Sequence, residues 1–83
     1  GFTLKIVEQR GGEAVLEFMA IRGRTYSVHR SGDLKEWEQA EFGMEQQEGA
    51  LKHYRAVDVK KVRVTVPNDG GRFSAKFYKL MVE

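Results

Sequence analysis

Lys61-Val62-Arg63-Val64-Thr65-Val66 sets a valine at every second position, with a charged or hydroxyl side chain between. Successive side chains of a strand point to opposite faces, so this stretch predicts a strand with one apolar face against a core and one polar face in water. The same period recurs upstream. Ala14, Leu16, Phe18 and Ala20 share one face, with Glu13, Glu17 and Met19 on the other; Tyr26 and Val28 alternate with Thr25, Ser27 and His29; and Phe2, Leu4 and Ile6 align near the start. Gly11-Gly12 and Gly23 punctuate these runs, since glycine enters positive φ without steric cost. The first three strands are therefore expected to form an antiparallel meander.

The later segments are less regular. Leu51–Asp58 is an extended candidate, Pro67-Asn68-Asp69-Gly70-Gly71 is a strong turn, and Ser74–Val82 carries Phe77, Tyr78, Leu80, Met81 and Val82 on both faces. Two-sided apolar character predicts a central strand covered on both sides. Residues 33–47 admit two readings. Asp33 with Glu36 fits a capping box, and Leu34, Trp37 and Met44 lie near helical spacing, so one reading is a helix over roughly 33–47. Gly43, and Glu41 in the apolar stripe, favour the other: a short helical turn at Asp33–Trp37, then an irregular strand near Glu38–Phe42. The fold class expected is all-β, a small antiparallel sandwich of about seven strands.

With 83 residues, the chain is read as a single module, 1–83, excised from a longer protein. Apolar residues at 41%, charged ones at 31% and a single proline suit a compact core rather than disorder. There is no cysteine, so disulfides and thiolate metal sites are out. No run of about 18 apolar residues occurs, and membrane insertion is not expected. The net charge of +2 hides an asymmetry: residues 33–48 hold six acids and one base, residues 52–79 eight bases and two acids. These segments are expected to neutralise each other within the fold. The competing reading is a basic face for an anionic partner.

Ser31-Gly32-Asp33-Leu34-Lys35-Glu36-Trp37 is the most distinctive stretch. A serine and an aspartate two apart can bond local amides and fix a tight loop, while Leu34 and Trp37 dip into the core. The expected core also takes in Phe18, Tyr26, Val28 and Phe77. His29 and His53 would need Asp33, Glu36 or Asp58 to converge on a metal, and Ser31, His29 and Asp33 sit too close in sequence for the usual triad. No catalytic residue, metal or cofactor is therefore expected, and the chain is read as not an enzyme. Tyr54, Phe73 and Tyr78 lie near Lys52, Arg55, Arg72, Lys76 and Lys79. From these, Tyr54, Arg55, Arg72, Phe73, Lys76 and Tyr78 are the candidate ligand surface, able to stack on sugar rings or bases.

Phe18, Gly23, Tyr26, Val28, Ser31, Asp33, Leu34 and Trp37 follow the pattern F-x4-G-x2-Y-x-V-x2-S-x-D-L-x2-W, and Lys76-Phe77-Tyr78-Lys79-Leu80 is similar to a closing R-F-Y-R-V. In both, the chain resembles small fibronectin type III-like sandwich modules of secreted and surface proteins of Verrucomicrobia and Planctomycetes. Lys76 and Lys79 stand where arginine is usual, and Gly32 where threonine is. The resemblance implies an extracellular or cell-surface accessory module without catalytic residues. Its role would be a spacer, or weak binding of a glycan or a neighbouring protein domain. The alternative is a small β-barrel that binds RNA or another polyanion through residues 52–79; the modest net charge disfavours nucleic acid. Oligomeric state is left open by the sequence.

Overall fold

The computed structural model describes residues 4–45, 47–68, 71 and 74–83, and the backbone but not the side chain of Arg10. Among the described residues, eight strands follow in order: β1 Lys5–Arg10, β2 Glu13–Ala20, β3 Thr25–Ser31, β4 Glu38–Ala40, β5 Gly43–Met44, β6 Tyr54–Arg55, β7 Lys60–Pro67 and β8 Phe77–Val82. They form two antiparallel sheets. The first has the order β1-β2-β7-β5. In the second, β3 pairs along one edge with β8 and along the other with β4 and then β6. The fold is an all-β sandwich, as the alternation predicted.

The valine face of β7 decides the packing. Val62, Val64 and Val66 lie opposite Phe18, Leu16 and Ala14 of β2, and all six are buried. Tyr26, Val28, Ala40 and Phe42 close the core from the other side. Phe18 and Tyr26 meet across the sandwich with ring centroids 5.1 Å apart and planes tilted by 41°. Tilted aromatic pairs of this kind are favourable beyond the area they bury. The Tyr26 hydroxyl, at the far end of the ring, accepts a 2.7 Å hydrogen bond from the Ile21 N–H. That bond pins the connection where the chain leaves the first sheet for the second.

Several expectations need correction. The first three strands are not a meander: β1 and β2 form the Gly11-Gly12 hairpin, but β2 then pairs with β7, and β3 crosses to the other sheet. A buried face on β2 needs a partner layer, and β3 supplies it. Among the described residues of 33–47 there is neither the long helix nor the short helical turn; 32–36 is a run of bends, followed by β4 and β5. Leu51–Asp58 shrinks to the two residues of β6 and a bridge between Phe42 and Leu51. β8 is an edge strand, paired only with β3 among the described residues. Its second apolar face, Phe77 and Met81, is exposed rather than covered. Phe2 and the Asp69-Gly70 part of the predicted turn lie outside the described residues.

The core expectation holds for Phe18, Tyr26 and Val28, but Leu34 is 58% exposed and Phe77 38%. Ser31 and Asp33 explain Leu34. Ser31 Oγ accepts from the N–H groups of Asp33 and Leu34 at 3.2 and 2.9 Å, and donates to Asp33 Oδ1 at 3.2 Å. Asp33 Oδ1 accepts from Lys35 and Glu36 N–H at 2.8 and 3.0 Å, and Trp37 Nε1 donates to the Leu34 carbonyl at 3.3 Å. A loop held this tightly to its own amides forces Leu34 to φ 69° and turns its side chain out.

The opposite pole from the Tyr26 hydroxyl is closed by charge. Arg30 is buried, pairs with Glu38 at 3.3 Å and donates to the Pro67 carbonyl at 2.5 Å, linking β3, β4 and the end of β7. Gly71 packs on this pair so closely that a Cβ there would collide with the Arg30 guanidinium and the Glu38 carboxylate. The acidic and basic segments adjoin where β5 pairs with β7. The ion pairs of Lys61 and Arg63, however, go to Glu17 of β2, at 3.8 and 2.8 Å.

Candidate functional site

Partners in an antiparallel pair share a face, so the register of the second sheet sorts its side chains. Val28, Ala40 and Leu80 lie abreast and turn inward. The next row, Gln39, His29 and Lys79 across β4, β3 and β8, must therefore turn outward. On the same outer face, Phe77 lies opposite Ser31 and Met81 opposite Ser27. Trp37 stands at the head of β4, half-buried, and Lys79 Nζ sits 4.3 Å from its ring centroid. Gln39 Nε2 donates to the Lys52 carbonyl at 3.1 Å and lies 3.4 Å from His53 Nε2. Trp37, expected in the core, lies on this outer face instead, because the loop staple brings its indole back over the sheet.

These residues make an exposed face with two aromatic rings, one lysine, two imidazoles, one amide and a thioether. Burial, and then the charge of Lys79, hold the His29 pKa below its usual value, so the imidazole is neutral at neutral pH. The face therefore presents a neutral donor–acceptor beside a cation that rests on an indole. Rings and uncharged polar groups suit stacking and hydroxyl contacts. Among the described residues, no three His, Cys, Asp or Glu side chains come together as a metal set.

The ligand surface expected from the sequence is divided by the fold. Tyr54 lies opposite Tyr26 and Tyr78 opposite Arg30, so both face inward and pack against the core. The Tyr78 hydroxyl donates to Asn68 Oδ1. Arg55 and Lys76 are exposed, and the Lys76 N–H donates to the Ser31 carbonyl at 2.9 Å. Arg72 and Phe73 lie outside the described residues. The structure thus does not bring Tyr54 and Tyr78 onto one surface with Arg55 and Lys76. It assembles Trp37, His29, Gln39, Phe77, Lys79 and Met81, whose signal lies in the alternation of β3 and β8 once their register is known.

The outer face of the first sheet is self-neutralised. Glu17 takes a hydrogen bond from Arg63 Nε and lies near Lys61. That bond and the charges of Lys61, Arg63 and Lys5 hold the carboxyl below its usual range despite partial burial. Two open depressions flank it, one lined by Met44, Glu45 and Lys60–Arg63, the other by Lys5, Glu17, Phe18, Met19 and Lys61. Compared with family models, curated proteins and solved structures, the chain matches none.

Proposed function

We propose that this chain is a non-catalytic accessory module of a bacterial secreted or cell-surface protein, binding a glycan or a protein weakly through the outer face of its second sheet. The observation that carries this reading is the row Gln39–His29–Lys79 flanked by Trp37, Phe77 and Met81. Aromatic rings and neutral polar groups lie together on a flat, accessible surface there. The fibronectin type III-like assignment draws support from strand order. β2 pairs with β7 in one sheet and β3 with β8 in the other, as B pairs with E and C with F in immunoglobulin-like sandwiches. Extracellular placement rests on the sequence resemblance alone. The polyanion-binding alternative loses ground because Lys61 and Arg63, central to the basic segment, are engaged by Glu17.

The test is amide chemical-shift mapping of the labelled domain against polysaccharide fragments and a mixed-sequence oligonucleotide, each at two salt concentrations. Localised, salt-tolerant shifts at His29, Trp37, Gln39 and Lys79 are expected with a glycan. Shifts on β7 that vanish at high salt, seen with the oligonucleotide alone, would replace this reading with polyanion binding.

A further inference from the structure

Across the outer face of the second sheet, Gln39, His29 and Lys79 lie abreast on β4, β3 and β8. Neighbouring strands are about 4.8 Å apart, so the row is about 10 Å long, the length of a disaccharide. All three side chains are polar, and each keeps bonding capacity in hand. Gln39 Nε2 is used on the Lys52 carbonyl, which leaves Oε1 to accept. His29, half-buried and neutral, has one ring nitrogen to donate and one to accept. Lys79 is exposed, and its ammonium rests on the Trp37 ring. Among the described residues no carboxylate pairs with that ammonium, whereas on the first sheet Lys61 and Arg63 both meet Glu17. A permanent cover over this row, whether a neighbouring domain or another stretch of the same chain, would bury an ammonium, an imidazole and an amide. That is costly unless each finds a partner. A ligand dense in hydroxyls and carrying a negative charge matches all three.

We infer that this row binds an acidic sugar, a pyranose bearing a carboxylate, within a glycan. The inference rests on the reading of this face as a glycan-binding surface and specifies the sugar. The carboxylate pairs with Lys79 Nζ and draws the ammonium off the indole. The apolar face of the same pyranose, or of the next, then stacks on the Trp37 ring, while hydroxyls bond to His29 and Gln39. Recognition of the charge thereby uncovers the stacking surface. The groups that face His29 are Lys79 from β8 and Gln39 from β4, with His53 beyond Gln39. Burial, and then the Lys79 charge, lower the His29 pKa. A bound carboxylate offsets that charge, and an uncharged sugar of the same shape does not.

The probes are trimers of galacturonic, glucuronic and mannuronic acid, their uncharged methyl esters, and a short glutamate peptide that has the charge but no sugar ring. Each is titrated into the labelled domain at two salt concentrations. The expected result is saturable binding of an acid trimer, with shifts at His29, Trp37, Gln39 and Lys79. Its ester should bind about two- to fivefold more weakly, the range of one exposed ion pair, and that gap should narrow at high salt while the shifts stay in place. The His29 imidazole should titrate at a higher pH with the acid bound than with the ester bound. Lys79→Gln, at an exposed site, should keep the fold and bring the acid down to the affinity of its ester. Equal binding of acid and ester at these residues would overturn the carboxylate and leave the glycan-binding face standing, as would silence from the acids beside shifts from neutral polysaccharide fragments. Equal binding of the glutamate peptide would overturn the sugar, and shifts on β7 instead would overturn the site. Silence from acidic and neutral sugars alike would overturn both this inference and the reading on which it rests.

Discussion

Replacing Tyr26 by phenylalanine removes one oxygen and nothing else from the centre of the sandwich. The ring is fully buried and tilted against Phe18, so a phenylalanine in its place would fill the same volume. What is lost is the 2.7 Å bond from the Ile21 N–H. A net intramolecular hydrogen bond contributes about 0.5–1.5 kcal/mol, and an amide left without its partner costs about 1–3 kcal/mol when water is excluded. Ile21 is 39% exposed, so water reaches its side of the turn and the higher figures do not apply. The expected loss is about 1–1.5 kcal/mol. Against a total of about 4–12 kcal/mol for a chain of this length, that is a substantial fraction. At about 4–8 °C per kcal/mol in a small domain, Tm should fall by roughly 5–10 °C. Tyr26→Ala, which also opens a cavity, should cost about 3–5 kcal/mol. Urea melts give both values, and amide exchange gives the local one: the Ile21 amide should exchange faster in Tyr26→Phe while the β7 amides keep their order. A Tyr26→Phe variant with unchanged stability and an equally protected Ile21 amide would refute the claim that this hydroxyl pins the sheet crossing.

Ser31 is wholly buried and accepts two backbone amides, so Ser31→Ala should cost about 1–3 kcal/mol, read by chemical denaturation. Leu34 sits at φ 69° with its side chain in water. There, Leu34→Gly relieves about 1–3 kcal/mol of strain against about 0.5–1 kcal/mol of added chain entropy, and should leave the domain equally or more stable by the same assay. The pKa of His29 is lower in the folded state than in the unfolded chain, where it is 6.5. The unfolded chain then binds the proton first, so the His29 contribution is fully present above pH 6.5 and is lost as the pH falls through the folded value. Stability should decline on acidification below pH 6.5, and His29→Gln should flatten that decline; an imidazole NMR titration midpoint at or above 6.5 would contradict it.

Alternation makes the strands legible, because an apolar side chain at every second residue, with polar ones between, can bury its apolar set as a strand and not as a helix. Alternation does not say which strand lies beside which. Phe18 reads the same whether β2 pairs with β3 or β7, so the meander is a natural but wrong inference from adjacency. Only the need to cover the β2 face with a second layer resolves it. The same blindness misreads β8. Phe77 and Met81 have the composition of a covered face, yet lie on an open one, and sequence pattern cannot distinguish a buried apolar face from an exposed one of similar chemistry. Residues 33–47 mislead for a different reason. Asp33 Oδ1 takes the amides of Lys35 and Glu36 as an N-cap would, but Ser31 Oγ takes those of Asp33 and Leu34, and Leu34, the first residue after the cap, stands at φ 69° instead of a helical value. Once local side chains hold those amides, a loop competes successfully with a helical turn.

The residues that carry the sequence resemblance nearly all have structural employment. Phe18 and Tyr26 join the sheets, the Tyr26 hydroxyl pins their crossing, Ser31 and Asp33 hold the loop, and the Trp37 indole N–H closes it on Leu34. A pattern so occupied specifies a scaffold and leaves recognition to positions outside it. On the proposed reading those positions are His29, Gln39 and Met81 on the outer face, and Lys79, inside the pattern, departs from its usual arginine there. Lysine places a compact charge on the Trp37 ring where a planar guanidinium would stack across it. Arginine at this position should therefore cover more of the indole and hinder any ligand that must displace it. Lys79→Arg is then the substitution that separates scaffold from recognition. It should leave stability nearly unchanged and alter binding at the outer face, and equal binding by both forms would show that the Trp37 ring face is not part of the contact.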